Sequence, residues 1–168
     1  KHRSSKKRMG QIQSLLDNHL EYENVLDIPE VELKKMSKIV LRRRGLQDFH
    51  ICHANYVAQN GYNDKIIDYV GRVVDYRQLM KHYIVRDKYR HSYILYLLAS
   101  FRVKTDEVEK FALASLDSHS LHVRNNALRV IQNIGSISLF CRAIEKISSN
   151  EKYFHDKVLI DFIDNFQG

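Results

Sequence analysis

The stretch that decides the fold is SLDSHSLHVRNNALRVIQNIG, residues 115–135. From Arg124 it places Ala127, Leu128 and Ile131 on one helical face, and Gly135 ends the run where a left-handed residue would close a helix. Two other segments lie over it. RHSYILYLLASF begins at Arg90 and HDKVLIDFIDNF at His155, offsets of 34 and 31 residues. Tyr93, Ile94 and Leu97, then Val158, Leu159 and Phe162, fill the same three places as Ala127, Leu128 and Ile131. The preceding segments match too, with Val108, Ala112, Leu113 and Leu116 over Leu139, Ala143, Ile144 and Ile147. The repeating unit is therefore a pair of helices.

Working outward, helices are expected at about 88–101, 106–116, 121–134, 137–148 and 152–166, with connections of a few residues. Short connections make successive helices antiparallel neighbours. Upstream, Ile12, Leu15, Leu16, His19 and Leu20 share a face, and residues 1–8 read as a solvated basic arm. Asp27 and Pro29 start a second helix, with Glu30 and Glu32 in its first turn, and Gly45 stops it. Residues 46–59 and 64–83 give two more, with Asn63 placed to cap the second of these. The expected organisation is a basic arm over 1–9 and one helical repeat domain over 10–168.

Composition agrees with helices: one proline and six glycines leave little room for a turn-dense β fold. Cys52 and Cys141 are 89 positions apart and follow no paired spacing, which argues against a disulfide framework. No run of about 18 apolar residues is present to span a bilayer. Residues 1–91 hold 18 Lys and Arg against 11 Asp and Glu, whereas residues 92–168 hold 9 against 9. The excess lies in two clusters, Lys1, Arg3, Lys6, Lys7 and Arg8, then Lys34, Lys35, Lys38, Arg42, Arg43 and Arg44.

A two-helix unit of 31–34 residues admits several solenoid families. The tetratricopeptide pattern wants tryptophan and a late proline, and ankyrin wants a TPLH-like turn; the chain has no Trp and only Pro29. Residues 115–135 resemble the centre of a short bacterial HEAT repeat: an aspartate after the first helix, then Val-Arg, then Ala-Leu, closing on glycine. The resemblance implies an all-α, right-handed α-solenoid of antiparallel hairpins. It also implies that Asp117 and Arg124 order the inter-helix turn, a role that Arg90 would repeat one unit earlier; His155 stands in that place in the last unit.

His50, Cys52 and His53 suggest a metal, but on a helix Cys52 points about 100° away from His53, and no second ligand pair follows at zinc spacing. No glycine pattern for nucleotide binding and no nucleophile motif is present. HEAT-like glycosylases use a tryptophan-rich cleft, which a chain without Trp cannot build. The expectation is no enzyme activity, no metal and no cofactor. Tyrosines concentrate between residues 56 and 96 among arginines and lysines. Packing between helices accounts first for such tyrosines; tyrosine with arginine is also the composition of a protein-binding hot spot, which makes Tyr76, Arg77, Tyr83 and Tyr89 candidates for contacting a partner, and stacking on a nucleic acid comes third.

The expected function is a non-catalytic protein–protein interaction scaffold on the cytoplasmic face of a bacterial membrane. Basic residues flanking a span stay in the cytoplasm, so the opening KHRSSKKR looks like the inner flank of an upstream membrane helix. The chain also resembles small bacterial HEAT proteins with one N-terminal membrane helix, some encoded beside glycosyltransferases, which implies a membrane-associated glycosyltransferase as partner and an anionic lipid surface nearby. The rival is a nucleic-acid-binding HEAT-like protein, which would need cations recurring repeat by repeat; the neutral second half does not supply them.

Overall fold

A computed structural model of the chain describes residues 2–42, 44–83, 88–149 and 154–166, the side chains of residues 2, 3, 82 and 83 excepted. Those residues form ten α-helices and one 3-10 turn, and no strand. The chain divides into two compact units, Lys1–Tyr76 and Arg77–Gly168.

Unit 1 contains α1 (His2–Glu21), the 3-10 turn Val25–Asp27, α2 (Glu30–Val40), α3 (Gly45–Asn60) and α4 (Asp64–Val73). Its helices pack α1 on α3 and α2 on both α3 and α4. Ile12, Leu16, Met36, Phe49, Ile66 and Tyr69 are fully buried between them. Residues 2–9, expected as a solvated arm, are instead the opening turns of α1. A carboxylate from another helix explains the difference: Asp48 of α3 is buried and takes Arg8 in an ion pair of 2.5 Å, while Ser5 Oγ donates to its other oxygen at 3.2 Å. Lys1, Arg3 and Arg43 lie outside the side chains described.

Local chemistry sets the helix ends. Pro29 is the N-cap of α2, and Asn63 accepts the Ile66 amide at 2.9 Å to cap α4. Gly45 starts α3 rather than merely stopping α2. A Cβ there would run into the Ile39 carbonyl oxygen, so only glycine permits this approach of α3 to the end of α2. The helix expected over 64–83 is two helices, α4 and α5 (Tyr76–Tyr83), because Val74 is extended and buried, its amide still bonded to the Val70 carbonyl.

Unit 2 holds the remainder of α5, then α6 (Lys88–Ser100), α7 (Asp106–Ser115), α8 (Leu121–Ile134), α9 (Ile137–Ser148) and α10 (Asp156–Asp164). Helices two apart in the chain pack together: α6 on α8, α7 on α9, and α8 on α10. Sequential neighbours α7–α8 and α8–α9 pack as well. Two asparagines of α8 reach α6 across the 34-residue offset that the sequence repeat also shows. Asn126 Nδ2 donates to the Ser92 carbonyl at 3.0 Å and Asn133 Nδ2 to the Ala99 carbonyl at 2.8 Å. Gly135 closes α8 with φ 71°, the left-handed cap expected there.

The turn before α8 is built on Arg124, 6% exposed, whose guanidinium donates to the Ser118 carbonyl at 2.8 Å and lies 5.1 Å over the Phe154 ring. Asp117 of the same turn pairs with Lys146 of α9 at 2.6 Å. Arg90 is exposed on α6, and Asp87 lies outside the described residues. Replacing Arg124 with Ala removes a charged donor from a buried carbonyl together with a cation–ring contact, and should cost about 2–3 kcal/mol. The check is a urea midpoint that falls with no change in slope; an unmoved midpoint would make Arg124 a bystander.

Candidate functional site

The most site-like surface of unit 2 lies on the layer formed by α6, α8 and α10. Tyr89, Tyr93 and Tyr96 follow one another at intervals of four and three, so they share one face of α6. They are 72%, 38% and 39% exposed, an unusual display of large aromatic surface for one short helix. The Tyr93 and Tyr96 rings stack with centroids 6.3 Å apart, and Lys88 Nζ sits 5.2 Å over the Tyr89 ring. His91, about 200° round the helix from Tyr93, meets α7: its Nε2 is 2.9 Å from Ser115 Oγ, and its ring packs on Phe111. Because the Ser115 hydroxyl donates to the Phe111 carbonyl, its oxygen accepts from His91 Nε2–H. The tyrosine stripe is thereby turned away from α7.

On α8 the same four-three spacing aligns Asn125, Arg129 and Gln132. These line a cleft of about 400 Å³ between α8 and α10, with Leu128, Val158 and Phe162 beneath and Asp161 opposite. Asn125 Oδ1 is buried, with no hydrogen-bond partner among the described residues, and so is closed to anything entering the cleft. Asn165 Nδ2 and Gln132 Nε2 both donate to the Asp161 carbonyl, at 2.8 and 3.5 Å, and tie the end of α10 to α8. The cleft thus offers an apolar floor with Arg129 and Asp161 at its rim, which suits a ligand that is part apolar and part charged.

The residues singled out from sequence fare differently. Tyr89 is 72% exposed, with Lys88 Nζ over its ring. Arg77 is exposed and pairs with Glu107 at 2.8 Å; Glu107's own backbone amide, then the Arg77 charge, holds its carboxyl below the usual range. Tyr76, in unit 1, is mostly covered, and burial pushes its hydroxyl pKa up, so it packs rather than presents itself. The Tyr83 side chain lies outside those described. Tyr93 belongs to the exposed stripe and not to the covered face of Ile94 and Leu97, with which the repeat alignment groups it. Tyr96 and the cleft residues carry no sequence label, although the 89–93–96 spacing was a legible signal.

In unit 1, His50, Cys52 and His53 do not converge. Cys52 is buried with Sγ 3.7 Å from the Met9 carbonyl, while His53 is buried between the Phe49 and Tyr62 rings. Among the described residues no group of three His, Cys, Asp or Glu is placed to hold a metal. Among the surface cations, Lys6 and Lys7 are exposed, Arg8 is engaged by Asp48, Lys34 pairs with Glu30 and Lys35 with Glu32. Comparison with known protein families, with curated proteins and with solved structures gives no match.

Two outcomes follow for unit 1. Burial, then the nearby His50, holds the His53 pKa down at about 4, against 6.5 for the free side chain. Between those values the unfolded chain takes up a proton that the folded chain refuses, so stability is full above about pH 6.5 and falls as the pH drops towards 4. The loss should reach on the order of 3 kcal/mol, and His53→Gln should flatten the pH dependence of the urea midpoint. Burial, with Asp48 and Asp17 adding to it, raises the Cys52 thiol pKa, whereas Cys141 is exposed. Native protein should therefore lose one thiol to an alkylating reagent at once and the second only on unfolding, as mass spectrometry would record.

Proposed function

We propose that this chain is a non-catalytic protein-interaction scaffold whose second unit is a short right-handed α-solenoid of HEAT-like repeats. The repeat reading is supported by the packing of helices two apart and by the asparagine bridges from α8 to α6 at the repeat offset. The observation that carries the functional reading is the exposed stripe of Tyr89, Tyr93 and Tyr96 on the same helical layer as the Arg129 cleft. Tyrosine gives large, rigid contact area at little conformational cost, and an arginine beside an apolar floor is the usual composition of a hot spot. Solenoids present such layers to extended partners. A stretch of another protein, with an acidic group for Arg129 and apolar side chains for the floor of Leu128, Val158 and Phe162, fits this surface.

A nucleic acid fits it less well. Asp161 stands across the cleft from Arg129, and a phosphate backbone laid there would meet a carboxylate. The membrane side of the proposal, with a membrane-associated protein such as a glycosyltransferase as partner, rests on the basic clusters and on the resemblance. Among the described residues no helix is long and apolar enough to cross a membrane.

Photo-crosslinking in cells tests the scaffold reading. A photoreactive amino acid placed at Tyr89 or Tyr93 should yield a discrete adduct with one protein, and the same group at the exposed Ile137 of α9 should not. Tyr89→Ala with Tyr96→Ala should lower recovery of that adduct from a nearby site about tenfold or more, the scale of losing hot-spot anchors. Adducts with nucleic acid, or equal labelling from every position, would defeat the reading.

A further inference from the structure

We infer that the outer face of α2 is a lipid-contacting surface that seats unit 1 against an anionic bilayer. Residues 31, 34, 35 and 38 of α2 recur at helical spacing, the C-cap Leu41 and then Arg42 follow just past its end, and all six are exposed, while Leu33, Met36, Ile39 and Val40 on the other side are buried in unit 1. The exposed face mixes two chemistries. Val31 is 66% and Leu41 57% exposed, aliphatics left mostly in solvent. Lys34, Lys35, Lys38 and Arg42 surround them. Glu30 and Glu32 neutralise Lys34 and Lys35, at 2.7 and 2.5 Å, but Lys38, Arg42 and the following Arg44 have no carboxylate partner among the described residues. Leu26, in the 3-10 turn leading into α2, is 67% exposed as well.

Cations alone would suit any polyanion; the aliphatics narrow the choice. A duplex offers phosphates and base edges, and Val or Leu gains little against either. A bilayer surface offers anionic headgroups for the cations and, just beneath, hydrocarbon for the aliphatics, which is the pairing that interfacial helices use. The placement also moves the basic contact away from the chain start, where Arg8 is already committed to the buried Asp48. The inference deepens the membrane-side part of the proposed function and rests on that part alone; the tyrosine surface of unit 2 plays no role in it.

The test is co-sedimentation of the intact chain with vesicles of phosphatidylglycerol mixed with phosphatidylcholine, against vesicles of phosphatidylcholine alone. Binding should require the anionic lipid and weaken steeply with added salt. Val31→Ser with Leu41→Ser, and separately Lys38→Glu with Arg42→Glu, should each reduce partitioning about tenfold or more while leaving the thermal unfolding curve in place. Because the chain has no Trp, Leu41→Trp provides a single reporter. Its emission should shift to the blue on adding anionic vesicles, whereas that of Ile160→Trp, exposed on α10, should not. If Lys6→Glu with Lys7→Glu abolishes binding and the α2 variants bind as the parent does, the α2 surface is wrong and the membrane reading survives. If the intact chain ignores anionic vesicles, or binds duplex DNA in their place, both are overturned.

Discussion

Unit 2 depends on the burial of α8 from several sides at once. A helix of 14 residues cannot hide Val123, Ala127, Leu128, Val130, Ile131 and Ile134 within its own turns, and all six are buried. The cover comes from α6, α7, α9 and α10, each of which touches α8. Apolar burial is non-directional, so it would accept several rotations of these short helices against one another. Asn126 and Asn133 remove that freedom. Each reaches a main-chain carbonyl of α6, seven residues and two turns apart on α8, and two such bonds fix both the rotation and the axial register of the pair. Arg124 acts likewise on the turn, holding the entry to α8 by its bond to Ser118.

Most helix boundaries could be read from the chain because the residues that set them act locally. Asn63 and Gly135 each satisfy or release backbone groups within a few positions, and such signals need no tertiary knowledge. The failures share the opposite cause. The opening turns of α1 look like an arm because their polar residues carry no stripe; they are ordered by Asp48, forty residues away on α3. The break between α4 and α5 falls at Val74, where no glycine or proline marks it, since burial of that side chain and not turn chemistry stops the helix. Gly45 was visible as punctuation, but its role as the point of closest approach between α2 and α3 needs the fold.

The proposed surface was legible as a composition and not as a geometry. Tyrosine among cations suits packing as well as contact with a partner, and which tyrosines face outward depends on the rotation of α6, which the asparagine bonds from α8 help to set. Tyr76 and Tyr89 have the same chemistry and opposite fates, one mostly covered and one 72% exposed. The cleft was illegible for a further reason. It exists only where α10 meets α8, and no residue type by itself reveals that meeting.

Net charge does not separate the two proposed surfaces. Unit 1 carries 13 Lys and Arg against 10 Asp and Glu, unit 2 carries 14 against 10, so the two are almost equally basic. What differs is the company the cations keep. On α2 they flank Val31 and Leu41, side chains with nothing to offer a polar partner and hydrocarbon transfer energy to gain from a bilayer. On the α6–α8–α10 layer Arg129 stands with exposed tyrosines and with Asp161, and a carboxylate is costly to lay against hydrocarbon. A polypeptide brings both apolar side chains and hydrogen-bonding groups to such a surface. The chemistry beside the cations, more than their number, is the ground on which α2 is proposed for lipid and the layer around α8 for protein.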